Sequence, residues 1–334
     1  MRALQHQTRR PVLALALAAV ALTTVAACSS SHAGTSASHP ASSGSSSGSP
    51  SSSAPSNAGF PVTLSGGGST VTLSRRPTRI VSLSATATEM LFAIGAGSQV
   101  VAVDKTSDYP ANAPHSSLDA YQLNAEAVAG YRPDLVVESG LTAAQTKQLT
   151  ALDIPVLDQP AAAGLSQAYQ EIDQLGRATG HVTEATAVSD RMASQIAAIV
   201  ASTPKPRAGA TYYYELDQTY YSVTSDTFVG QLLKLLGLTS IADSAKGAAA
   251  AGGYPQLTGE YILKANPSYI FLADTKCCGQ SATTVGRRPG WSTLGAVKDG
   301  RVVGLDDDIA SRWGPRVVDL LQTIAAAMRA HPTP

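Results

Sequence analysis

VTEATAVSDRMASQIAAIVAS, residues 182–202, is the stretch on which the reading of the fold turns. Ala185, Val188, Met192, Ile196 and Ile199 recur at three- and four-residue spacing, so they share one face of an α-helix. At about 1.5 Å per residue this helix is roughly 31 Å long, enough to run from one lobe to another. Pro204 and Pro206 stop it. Residues 165–179 also read as helical, and Gly180 separates the two segments.

On both sides of these helices, short apolar runs alternate with helical stretches. Upstream, strands are expected at 79–83, 100–103, 135–137 and 155–157, with helices near 124–131 and 143–152. Thr86 and Glu89 have the spacing of a capping box, opening a helix that carries Met90, Leu91, Phe92 and Ile94 and closes at Gly95. Downstream, strands are expected at 210–216, 269–272 and 301–304, with helices near 227–236, 258–265 and 315–329. Residues 62–64 and 70–73 read as a hairpin around Gly66, Gly67 and Gly68. No Lys-Ser/Thr follows these glycines and no helix opens there, so they form a turn rather than a phosphate loop. Strand–helix alternation implies mostly parallel sheets covered by helices. The expected fold class is α/β, two lobes joined by one long rigid helix. Tyr212, Tyr213 and Tyr214 fall in an expected strand, whose alternation puts about half of them in the core.

The first residues read as an address. Arg9 and Arg10 precede an apolar run at 12–22, too short to cross a bilayer, which takes about 20 residues, but suited to a signal-peptide core. Val25-Ala26-Ala27-Cys28 follows and resembles a bacterial lipobox, in which Cys28 is lipidated and becomes the mature N-terminus. Residues 29–59 hold fifteen serines among thirty-one positions and cannot bury enough apolar surface to offset ordering entropy. The expected division is a signal segment 1–27, a serine-rich tether 28–59, a first lobe 60–180, an inter-lobe helix 181–205 and a second lobe 206–334. The protein is expected outside the cytoplasm, anchored to the cell membrane.

Charge and motifs exclude several classes. The chain has 24 basic and 24 acidic side chains, and Arg2, Arg9 and Arg10 lie in the first 59 residues, which leaves 21 against 24. Nucleic-acid binding needs a basic surface, so no such partner is expected. There is no GxSxG, no Walker motif and no GxGxxG after a strand, so neither an enzyme nor a cofactor is expected. Three cysteines make no disulfide framework and show no zinc-site spacing. His115 and His181 stand apart and read as surface residues, and Asp306-Asp307-Asp308 lacks the alternation of a calcium loop. Asp308 reads as an acceptor at a ligand rim, its two neighbours as solvated. No metal is expected.

A pseudo-repeat relates the two halves. Asn124-Ala125-Glu126 is followed by Val128, Pro133 and the strand at 135–137; Thr258-Gly259-Glu260 is followed by Ile262, Pro267 and the strand at 269–272. Each places a cap residue two positions before Glu and a Pro seven after it. Two similar lobes facing each other leave a cleft, a common place for ligands.

PTRIVSLS (77–84) with Thr88-Glu89, SDYP (107–110), NAE (124–126) with RPDLVV (132–137), YPQLTGE (254–260) and SRWGPRVV (311–318) together resemble the iron-complex/cobalamin (type III) substrate-binding proteins of ABC importers. The resemblance covers about residues 75–330. It implies a monomeric extracytoplasmic receptor that takes a bulky tetrapyrrole-like or iron-chelate ligand to a permease dimer. Position by position the likeness is to cobalamin binders, with haem and ferric siderophores left open, and a sensory lipoprotein that presents its ligand to a membrane signalling protein is a further reading. It implies ligand-binding roles for Tyr121, Tyr221, Tyr254, Asp308, Arg312 and Trp313. Two departures stand out: Thr106 and Ser139 occupy positions where a tyrosine and a tryptophan occur in cobalamin binders. The resemblance also implies that Glu126 and Glu260 pair with arginines on the two permease subunits. Cys277-Cys278 leaves two readings, a vicinal disulfide that stiffens the loop after Asp274 or two buried free thiols.

Overall fold

The computed structural model describes residues 59–333. The expected signal segment, Cys28 and all but the last residue of the serine-rich stretch lie outside them. The described chain opens with the antiparallel hairpin of β1 (Val62–Gly66) and β2 (Ser69–Leu73). Gly67 and Gly68 turn it with φ of +54° and +80°, and Asp158 lies where a Cβ on Gly67 would stand.

The first lobe runs β3 (Ile80–Leu83), α1 (Ala85–Ala93), β4 (Val100–Val103), α2 (Ala125–Gly130), β5 (Leu135–Glu138), α3 (Ala143–Thr150) and β6 (Val156–Asp158). Its sheet is parallel throughout, in the order β4-β3-β5-β6. Helices α4 (Leu165–Thr179) and α5 (Val182–Ser202) follow, with the bounds expected from periodicity. Gly176 lets them meet closely, because a Cβ there would strike the Cβ of Ala185. The second lobe runs β7 (Thr211–Glu215), α6 (Phe228–Leu235), β8 (Thr239–Ser240), α7 (Gly259–Ala265), β9 (Tyr269–Leu272), α8 (Thr275–Cys278), α9 (Ala282–Gly286), α10 (Gly295–Lys298), β10 (Val302–Gly304), α11 (Asp307–Ala310) and α12 (Val317–Ala330). Its sheet, β10-β9-β7-β8, is also parallel throughout.

Every residue of β3, β5 and β9 is buried, the signature of parallel strands covered on both faces. The same cover explains a departure from expectation: Tyr212, Tyr213 and Tyr214 are all fully buried, not half of them. Tyr212 and Tyr214 enter the central core, while Tyr213 points to the other face against Trp291, ring centroids 6.0 Å apart. The central core is continuous across both lobes, joining Ile80, Met90 and Leu135 to Tyr212, Leu233 and Phe271 through Ile172, Val188, Met192 and Ile324. α5 buries the predicted stripe of Ala185, Val188, Met192 and Ile196 there.

α1 starts differently from the expected capping box. Ser84 is its N-cap, its hydroxyl accepting from the Ala87 N–H at 3.3 Å. Glu89 is instead only 3% exposed and serves distant residues. Arg312 Nη1 donates to Glu89 Oε1 at 2.8 Å, and Arg316 Nε donates to Oε2 at 2.9 Å. Arg316 also lies 4.2 Å from the Tyr109 ring centroid. Arg312 further reaches Asp108 at 2.8 Å and the Thr106 carbonyl at 3.0 Å. Trp313 Nε1 donates to Glu171 Oε2 on α4 at 2.6 Å. The segment before α12 is thus clasped to the first lobe and to α4.

A buried charge that loses its partner is strongly destabilising. Glu89→Ala leaves two guanidinium groups without their shared acceptor, and we expect a loss of about 3 kcal/mol in urea unfolding. A loss below about 1 kcal/mol, the level of an exposed pair, would show that the clasp does not hold the lobes.

Candidate functional site

Between the lobes lies a cavity of about 560 Å³. Its first-lobe wall is built where three strands end: Leu83 at the end of β3 with Ser84 following, Asp104 and Thr106 after β4, Ser139 and Gly140 after β5. Tyr121 joins this wall, and Asp308, Ser311, Arg312 and Trp313 form the second-lobe side. Ligands of parallel sheets bind outside the carboxyl ends of the strands, and here both sheets contribute that end. Thr106 and Ser139, the two departures from the cobalamin-binder pattern, both line the cavity and leave it roomier than a tyrosine and a tryptophan would.

Four of the six expected ligand residues therefore meet in one cavity: Tyr121, Asp308, Arg312 and Trp313. Tyr121 is 84% exposed and so presents nearly its whole ring. Tyr221 and Tyr254 do not line that cavity. They stand on a neighbouring part of the second lobe, 40% and 46% exposed, where Tyr221 pairs in antiparallel fashion with Gln256 and the Ser222 N–H bonds the Pro255 carbonyl at 3.0 Å. Buried Tyr214 lies near Tyr254 and Asp307, its hydroxyl donating to the Ala310 carbonyl at 3.1 Å. Burial, with the charges of Tyr212, Asp307 and Tyr254 nearby, pushes its phenol far above the usual range.

Arg312 is engaged by Glu89, Asp108 and Asp308, so it shapes the wall more than it offers free donors. Burial raises the Asp108 pKa, but the Arg312 hydrogen bond and charge prevail and hold it below the usual value. Asp308 accepts from Arg312 at 3.1 Å and from Lys276 Nζ at 2.7 Å. Its neighbours are not merely solvated, as sequence suggested. Asp306 caps α11, accepting from the Asp308 and Ile309 N–H groups, and pairs with Lys276 at 2.8 Å. Asp307 accepts from the backbone N–H groups of Thr275, Lys276 and Cys277.

Cys277 and Cys278 are bonded to each other, in the short helix α8, with Cys277 exposed and Cys278 partly so. The alternative of two buried thiols does not hold. His181 is likewise no free surface residue: its Nε2 lies 2.8 Å from Arg76 Nη2, and burial and that charge lower its pKa.

Sequence reasoning missed the acids behind the cavity. Glu138, at the end of β5, is fully buried, and burial together with Asp158 pushes its pKa up to about 7, against the Leu141 N–H it accepts at 2.8 Å. Burial also pushes Glu171 up to about 7, against the bonds from Trp313 and Gln167. Glu138 ends an apolar run and Glu171 stands among polar residues of α4, and no local pattern marks a carboxylate that the fold will bury. Glu126 and Glu260 occupy matching places in the first turns of α2 and α7, behind the N-caps Asn124 and Thr258. Both are exposed, and neither is in an ion pair among the described residues.

Comparison with known proteins agrees with this architecture. The chain is 32% identical over 280 residues to an uncharacterized ABC transporter substrate-binding lipoprotein, YvrC, of Bacillus subtilis (strain 168), covering 80% of this chain and 86% of that protein. It is 28% identical over 278 residues to a cobalamin-binding protein of Halobacterium salinarum, covering 80% and 74%. Among solved structures, a possible iron-binding (periplasmic solute-binding) protein of Staphylococcus epidermidis matches with a TM-score of 0.66 at 25% identity, over 76% of this chain and 99% of that one. These are binding proteins and not enzymes. A family model described as periplasmic binding protein matches residues 80–309, and the chain belongs to that family.

Proposed function

We propose that this protein is the lipid-anchored substrate-binding component of an ABC importer and that it captures cobalamin or a similar corrinoid between its lobes. The observation that carries the reading is the inter-lobe cavity, in which Tyr121, Asp308, Arg312 and Trp313 meet at the carboxyl ends of the strands. Tyr221 and Tyr254, exposed on the second lobe outside that cavity, are the proposed further aromatic contacts. Corrinoids have broad apolar faces and amide rims. Aromatic rings offer large contact area at low entropic cost, and Asp308, held in place by Arg312, suits polar rim groups. The cobalamin-binding relative supports the ligand class, and the B. subtilis lipoprotein supports an anchor at Cys28 with residues 29–59 as its tether. An iron chelate, either a ferric siderophore or haem, is the second reading, favoured by the likeness to the possible iron-binding protein of S. epidermidis.

Glu126 and Glu260 are the proposed contacts with the permease, one on each lobe. Exposed rim charges steer association and set register, and salt screens them.

Calorimetric titration with cobalamin, haem and ferric siderophores tests the ligand: cobalamin is expected to bind, and haem binding alone would move the assignment to the second reading. Tyr254→Ala is expected to weaken cobalamin binding about thirtyfold, the scale of losing an aromatic anchor. An unchanged dissociation constant would remove Tyr254 from the site. Glu126→Ala with Glu260→Ala is expected to leave ligand affinity intact and to stop uptake into vesicles that carry the cognate permease. Uptake at the wild-type rate would leave both residues as helix-terminal charges only.

A further inference from the structure

The Cys277–Cys278 disulfide has no evident part in holding the fold. It joins adjacent residues, so it closes no loop and takes almost no chain entropy from the unfolded state. No residue of α8 is buried, and neither cysteine belongs to an apolar core. Yet the four residues of α8 are held with unusual care. The Asp307 carboxylate accepts from the N–H groups of Thr275 at 2.8 Å, Lys276 at 2.9 Å and Cys277 at 2.9 Å. The Thr275 hydroxyl bonds that carboxylate and the Leu305 carbonyl. Lys276 Nζ reaches Asp306 and Asp308, at 2.8 and 2.7 Å.

The position of α8 says what this care achieves. β9 and β10 are parallel neighbours, and α8 and α11 follow their carboxyl ends, so both sit on the edge of the second sheet. α11 supplies Asp308 to the cavity, and Ser311, Arg312 and Trp313 continue that wall. Lys276, next to the disulfide, is bonded to Asp308 itself. A small ring with two polarizable sulfurs is therefore fixed and exposed beside the cavity, where it offers a rigid apolar face at little entropic cost.

We propose that the Cys277–Cys278 disulfide belongs to the ligand site, where it packs on an apolar face of the bound molecule and does so only while the two sulfurs are bonded. This deepens the function proposed above and rests on it. Reduction by a dithiol breaks the S–S bond: two electrons and two protons pass to the sulfurs, giving two thiols and the cyclic disulfide of the reductant. The freed side chains then rotate independently, and the flat face is lost.

The test uses the full-length chain in detergent, titrated with cyanocobalamin by calorimetry. Three forms are compared: wild type, wild type reduced with dithiothreitol and desalted without air, and the double variant Cys277→Ser with Cys278→Ser. Loss of an apolar contact of this size should weaken binding about tenfold in the reduced protein and in the variant. Prior treatment with dithiothreitol should leave the variant unaffected, and the thermal midpoint of all three forms should agree within about 2 °C. Equal dissociation constants for oxidised and reduced wild type would overturn the proposal even if the variant failed to fold. A fall in midpoint that accounts for the loss of binding would also overturn it, by making the disulfide structural. Failure of the oxidised wild type to bind cyanocobalamin would overturn the cobalamin reading, and this proposal with it.

Discussion

One buried carboxylate sets the relation between the two halves of the molecule. Glu89 leaves water at the end of the first helix turn of the first lobe, and among the described residues it is compensated by guanidinium groups that arrive more than two hundred residues later. An isolated charge in that position would be too costly to persist, so the segment carrying Arg312 and Arg316 must return to it. That return brings Trp313 to Glu171, and it sets Asp308 and Arg312 opposite Ser84 and Thr106. The cavity is what remains between the elements that the clasp draws together. The linking helix and the continuous core act in the same direction, since both run through the two lobes.

The carboxyl ends of the two sheets treat their buried acids in different ways. In the second lobe, Glu215 is held by both terminal nitrogens of Arg288, and that guanidinium is itself seated 4.7 Å from the Trp291 ring centroid and 5.5 Å from that of Tyr220. Asp274 lies close by, and burial together with the Glu215 charge pushes it up to about 7. In the first lobe, Glu138 and Asp158 face each other across β5 and β6, and burial raises both without a compensating arginine. In the second lobe a cation holds Glu215 while burial favours a proton on Asp274, and in the first lobe burial favours a proton on both Glu138 and Asp158.

The acidic run at the second-lobe edge shows how position changes the meaning of a motif. Asp306, Asp307 and Asp308 are consecutive in sequence, yet they perform three tasks: capping α11, receiving the N–H groups of α8, and facing the cavity. Against the upward pull of burial, the N–H groups of Cys277 and Lys276 hold the Asp307 pKa below its usual value. The carboxylate thus stays charged where α8 needs an acceptor.

Periodicity alone determined the two long helices to the residue and each expected parallel strand to within a residue or two, but not the two-residue β8; the repeat of cap, Glu and Pro placed Glu126 and Glu260 at matching positions. Each depends on neighbours along the chain: the helical stripe at three- and four-residue spacing, the unbroken apolar run of a doubly covered strand, the cap ahead of a first turn. The tertiary structure alone decided that Thr86 and Glu89 form no capping box, because the partners of Glu89 are the distant Arg312 and Arg316. It alone decided that all three consecutive tyrosines are buried, because helices cover both faces of their sheet. Likewise, sequence could name six ligand residues only through family likeness, and the fold gathered four of them in one cavity while setting Tyr221 and Tyr254 apart. Local pattern reports which surface a residue turns inward. Which charge, ring or cavity it meets there is a long-range matter, settled only when segments far apart in the chain pack together.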